Sequence, residues 1–220
     1  GAFSYSEGLE VQVQRGRLAD AAAVRSWLMA ELERGALRLE AAALPALLEA
    51  LQCWREQNAA GAEAAAADSR QRLLEQESWL LAQREAAAMR AQQRQMGGSL
   101  LQLLADLGWP LPQPLTTAWP TACAWPTAFA WAGLCLEIAA PALVEAYLYS
   151  WVANQLSAAV RLVPLGPTEA QRLQLDLAPT IAHQAAALAA TAPAPLWNGG
   201  VGSGLAQLGH DELYSRLFRS

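Results

Sequence analysis

An all-α fold, a single irregular bundle of about seven to ten helices, is what this sequence predicts. Three observations carry that expectation. Alanine and leucine together supply more than a third of the 220 residues, and both are strong helix formers. Strand-favouring residues are scarce, with isoleucine present only as Ile138 and Ile181, so a sheet would lack the side chains that fill pleated surfaces. Apolar residues also recur at helical spacing over most of the chain. The length suits one hydrophobic core, hence one domain over residues 1–220.

The opening GAFSYSEGLE, rich in Gly and Ser, reads as a turn or short capped segment. Asp20 is placed to cap a helix running to about Arg34, in which Val24, Trp27, Leu28, Glu31 and Leu32 share a face and Gly35 is the stop. Leu44, Leu47, Leu48 and Leu51 begin a second pattern that continues to Trp54 and closes near Asn58. A third, longer helix is expected from Glu63 or Asp68 to Met96, ended by Gly97 and Gly98, with Ser99 capping a short helix through Leu107. The Pro-rich connector from Gly108 to Pro120 carries Trp109, Leu111, Leu115 and Trp119, and a segment that apolar is expected to pack on the core. An Ala/Trp-rich helix follows from Thr121 to about Gly133, then a helix from about Pro141 to Val163 buried on most sides around Tyr147, Leu148, Trp151, Val152, Leu156 and Val160. Pro164 and Gly166 end it, Thr168 with Gln171 forms a capping-box pattern for the next helix, and Pro179 kinks or interrupts that one before it fades by Ala192. Residues 193–204 read as a Pro/Gly loop ahead of the polar and aromatic tail HDELYSRLFRS.

Composition removes several kinds of function. All fifteen basic residues are arginines, so the chain has no lysine for a phosphate-binding loop, a Schiff base or a general base. A formal charge of −5 opposes general nucleic-acid binding, and the densest arginine region, Arg84, Arg90 and Arg94, reads as a solvated helix face. Residues 107–136 carry no charge, but five prolines in the stretch rule against a membrane span. No secretory signal is visible at the N-terminus, and Cys53, Cys123 and Cys135 form no disulfide or zinc pattern, which together suit the cytoplasm. Cys123 and Cys135 read as buried apolar cysteines. His183 reads as a helix-face or core residue and His210 as a surface residue of the tail, so no metal ligand set and no cofactor is expected. Ser203 in GVGSG has neither the nucleophile-elbow frame nor the strand it needs.

Two regions present side chains of the kind that anchor interfaces. The tail, about residues 205–220, sets Tyr214, Leu217 and Phe218 among Arg216 and Arg219, and reads as a docking tail. The opening segment offers Phe3, Tyr5, Glu7 and Glu10 on irregular backbone. Two other readings stay open: an all-helical enzyme with a pocket in the Pro/Trp-rich region 109–131, and a generic helical adaptor.

Four blocks, GAFSYSEGLE at the start, QMGGSL at 95–100, SWVANQLSAAVRLVPLGPTEAQRL at 150–173 and YSRLFRS at the end, resemble in order and separation the UreF family of urease accessory proteins. Glu7 stands where that family more often carries His or Gln. The resemblance implies an all-helical, non-enzymatic chaperone scaffold that forms a homodimer and binds the accessory protein UreD, also called UreH. That platform would recruit the nickel-carrying GTPase UreG and serve nickel insertion into the urease apoprotein, with the metal held by partners or passing through transiently. Carried over by position, the resemblance puts Tyr214, Arg216, Leu217, Phe218 and Arg219 at or near the UreD contact, and Tyr5, Glu7 and Glu10 near the surface that meets the GTPase.

Overall fold

The computed structural model describes residues 4–117 and 122–219. Among them the chain forms ten α-helices, one 3-10 turn and no strand, which agrees with the all-α expectation. In order these are α1 Leu9–Gln14, α2 Ala21–Arg34, α3 Leu37–Ala59, α4 Glu63–Ala82, α5 Ala87–Asp106, α6 Gln113–Thr116, α7 Trp125–Cys135, α8 Ala140–Leu162, α9 Pro167–Ala189, α10 Val201–Leu208 and the 3-10 turn Gly209–Glu212. Two compact units divide the chain, one built of Gly1–Leu39 and Glu145–Ser220, the other of Glu40–Val144.

The unit of Glu40–Val144 buries Leu44, Leu47, Leu51 and Trp54 of α3 and Leu73, Leu80 and Leu81 of α4. Against the long helix expected to Met96, the chain breaks between Ala82 and Ala87, and α5 then runs straight through Gly97 and Gly98. No Gly or Pro marks the break. Arg84 turns inward there to pair with Glu40, which also accepts from Gln93 Nε2 at 3.1 Å, while the Arg90 guanidinium donates to the Arg84 carbonyl at 2.7 Å. Arg84 is thus only 8% exposed and belongs to a buried ion pair, not to a solvated face. The two glycines serve packing instead of termination: a Cβ on Gly97 would fall 2.0 Å from the Cys123 carbonyl oxygen, so their absence of side chains lets α5 lie along α7. Ser99, inside α5, caps nothing and donates back to the Gln95 carbonyl at 2.9 Å.

Glu77 of α4 supplies the N-terminus of α7 with acceptors. One oxygen takes the Ala124 N–H at 2.7 Å and the other takes the Thr127 hydroxyl. The helix begins at Trp125; the expected start at Thr121 lies outside the described residues, as does Trp119. In the connector Leu115 is fully buried as expected, but Trp109 is 39% exposed, its backbone held by its N–H on the Leu104 carbonyl at 2.8 Å and by the Trp131 indole N–H on its own carbonyl at 3.2 Å. Cys123 is buried, whereas Cys135 is half-exposed, contrary to its reading as a buried cysteine.

In the unit of Gly1–Leu39 and Glu145–Ser220, α2 packs on α9. Asp20 caps α2 as expected, its carboxylate accepting the Ala23 N–H at 2.8 Å. Within α8, Tyr147, Leu148, Val152 and Leu156 are buried, with Trp151 and Val160 at the margin. The capping box at Thr168 does not form: Gly166 is the N-cap and Pro167 opens α9, where a missing N–H costs nothing. Pro179 leaves α9 uninterrupted. It lies on the solvent side, with Leu175 one turn earlier largely exposed, so the carbonyl that loses its partner can be hydrated. Residues 201–204, expected as the end of a loop, instead begin α10, which runs Val201–Leu208 despite Gly202 and Gly204, because Ser203 and Ala206 are buried on its inner side. Among the described residues no helix is long and apolar enough to cross a membrane.

Candidate partner-docking site

The two ends of the chain meet in one unit, and glycine makes the meeting possible. Glu7 and Gly8 both take left-handed backbone, with φ of 50° and 90°, to turn the chain into α1. A Cβ on Gly8 would sit 2.9 Å from the Ala206 Cβ and 3.1 Å from the Ser203 carbonyl oxygen, so α1 approaches α10 only with a glycine there. Glu7 is held in its sparsely populated conformation by the Trp151 indole, which donates to its Oε2 at 2.8 Å.

Glu10, in the first turn of α1, is 1% exposed and its carboxylate faces the C-terminal segment. Oε1 accepts the Leu217 N–H at 2.7 Å, and Oε2 accepts the Phe218 N–H at 3.1 Å and lies 3.2 Å from Nε2 of His210. A carboxylate accepts and does not donate, so Nε2 is the protonated nitrogen of that imidazole. His210 is 2% exposed, which corrects its reading as a surface residue; the polar sequence around it hid a partner two hundred positions away. Among the described residues three further hydrogen bonds and an ion pair join the two segments: Arg219 N–H to the Ser4 carbonyl at 2.8 Å, Gln14 Nε2 to the Ser215 carbonyl at 2.9 Å, Gln12 Nε2 to the Gly202 carbonyl at 3.4 Å, and the exposed pair of Arg15 with Glu212 at 3.8 Å.

The predicted residues therefore gather in one unit but differ in position. Tyr5 and Glu10 are buried, Glu7 is half-buried, and Phe3 lies outside the described residues. Phe218 points inward at 7% exposure, Leu217 outward at 58%, and Tyr214 is fully exposed. Arg216 is exposed and pairs with Asp211 at 3.0 Å, a surface contact of little energetic weight; Arg219 is exposed as well. Val201, read as loop, and Leu205 and Leu208, read as the start of the tail, form an exposed stripe on the outer side of α10, and Trp197 is exposed just before it. Their i, i+4, i+7 spacing was the available signal, masked by the glycines of GVGSG. Apolar and aromatic side chains exposed this way, with arginines at the rim, are what a protein partner covers. Among the described residues no group of three or more His, Cys, Asp or Glu is placed to hold a metal ion.

The family model described as UreF matches residues 18–178. A relative called urease accessory protein UreF, from Prochlorococcus marinus (strain MIT 9215), is 36% identical over 232 residues, spanning all of this chain and 92% of that protein. The protein of the same name from Nostoc sp. (strain PCC 7120) is 37% identical over 220 residues, spanning all of this chain and 90% of its own length. A third, from Microcystis aeruginosa, is 36% identical over 220 residues with 91% of its length covered.

Proposed function

The chain belongs to the UreF family of urease accessory proteins, and on that footing we propose that it is a non-enzymatic scaffold for loading nickel into urease. In this reading it forms a homodimer in the cytoplasm, binds a UreD-type (UreH) accessory protein through its C-terminal segment, and so recruits the nickel-carrying GTPase UreG to the urease apoprotein. Hydrolysis of GTP falls to another chain, since a phosphate-binding loop needs a lysine and this sequence has none. Nickel is cargo held by partners or in transit.

The observation that supports it is the outward apolar and aromatic set of Val201, Leu205, Leu208, Tyr214 and Leu217 on α10 and the tail. Leu205→Asp and Leu217→Asp place a charge where a partner would desolvate it, at exposed positions that the fold itself does not need buried. Size-exclusion chromatography with light scattering, on this chain mixed with a UreD-type partner, is the test. The unaltered chain is expected to elute with two copies of each protein, and each variant to bind at least about thirtyfold more weakly with its circular dichroism unchanged. Variants that bind as the unaltered chain does would place the contact elsewhere.

A further inference from the structure

Among the described residues, the three polar partners that Glu10 meets through its carboxylate oxygens come from the C-terminal segment: His210 and the successive N–H groups of Leu217 and Phe218. Two adjacent backbone N–H groups converging on one carboxylate form an anion-binding concavity, here filled by a side chain of the same protein. Neither oxygen faces water, because the side chain is almost wholly buried. A contact of this kind dictates direction as well as closeness: with both N–H groups turned inward, Phe218 packs into the unit and Leu217 faces out.

We propose that Glu10 is the positioning residue of the C-terminal segment, an internal anchor that holds residues 217 and 218 in one conformation before any partner arrives and so sets which tail side chains are presented. The value of such an anchor rests on the docking role given to the tail above, but its existence does not. It assigns Glu10 a task beneath the surface, not in it, and gives His210 a reason to be buried: the imidazole occupies Oε2 alongside the Phe218 N–H and keeps the carboxylate pointed at the tail.

Hydrogen exchange of the full chain, without partners, tests this. Glu10→Gln keeps the size of the side chain, but its amide can offer only one acceptor oxygen to the tail and turns a donor toward the remaining N–H or the imidazole. The Leu217 and Phe218 amides are expected to exchange at least about tenfold faster in the variant, and trypsin to cut after Arg216 correspondingly faster, while α2, α8 and α9 exchange as before. His210→Ala, which leaves both N–H contacts in place but frees the carboxylate to swing, is expected to show the same local loss to a smaller degree. Unchanged exchange at the two amides in Glu10→Gln would overturn the anchor. Acceleration spread evenly over α2, α8 and α9 would overturn it too, since Glu10 would then be supporting the whole unit and not the tail. Because no partner is present, a failure here is separate from a failure of the docking reading.

Discussion

At Glu77 burial and hydrogen bonding pull against each other. Burial pushes its carboxyl above the usual glutamate range, while the Thr127 hydroxyl, the Ala124 N–H and the Arg94 charge pull it down without fully offsetting the loss of water. The folded protein therefore holds that proton more tightly than the unfolded chain does. Stability from this group is fully present at acid pH and declines as pH rises from the ordinary glutamate value through the raised one. Glu77→Gln keeps an oxygen for Ala124 and a donor for Thr127, and it cannot titrate. Across that interval the Tm of the unaltered protein is expected to fall relative to the variant as pH rises; a difference that grows the other way would contradict the assignment. Neither this cap, nor the Glu40 and Arg84 pair, nor the contact of Glu10 with His210 was legible in the sequence. Each joins residues at least 44 positions apart, and side-chain pairing at that range leaves no local pattern to read.

Element boundaries show where local propensity is outvoted. Glycine inside a helix usually costs about 1 kcal/mol relative to alanine, and QMGGSL therefore reads as a stop. In α5 the same glycines admit α7, so the propensity cost is recovered by close packing. Gly97→Ala would drive a Cβ against the Cys123 carbonyl and is expected to destabilise by about 3 kcal/mol, lowering Tm by roughly 6–12 °C. Gly202 offers the contrast, being in α10 with no atom within 4 Å of a built Cβ. There Gly202→Ala is expected to stabilise by about 0.5–1 kcal/mol. Thermal melts of the two variants decide it: a rise in Tm for both would mean that propensity, not approach, governs both sites.

At the scale of the chain, Ser4 and Arg219 are neighbours, the Arg219 N–H lying on the Ser4 carbonyl at 2.8 Å, and a Cβ built at Gly61, in the exposed turn between α3 and α4, meets no atom within 4 Å. Joining the ends by a short Gly/Ser bridge and opening the chain at Gly61 breaks none of the contacts that hold Glu10. Such a permutant is expected to fold, with helical circular dichroism like that of the natural order and a Tm within a few degrees of it. A permutant without a cooperative melt would show that the ends do not sit together as described.

What the amino-acid sequence determined by itself is the all-α class, the absence of a lysine-based chemistry, most helix faces and, through four short blocks, membership of the UreF family. Those follow from composition, from a period of 3.6 and from short-range caps such as Asp20, all of which are local properties of the chain. The tertiary structure alone decided that Gly8 and Gly97 are contact surfaces, that α4 and α5 are two helices, that α10 exists, and that Glu10 and His210 are buried together beneath the tail while Tyr214 and Leu217 face out. The physical reason is the same in each case: burial and close approach depend on which distant segment lies opposite, and a charged or polar side chain gives no sign in its own neighbourhood that its partner is at the other end of the chain.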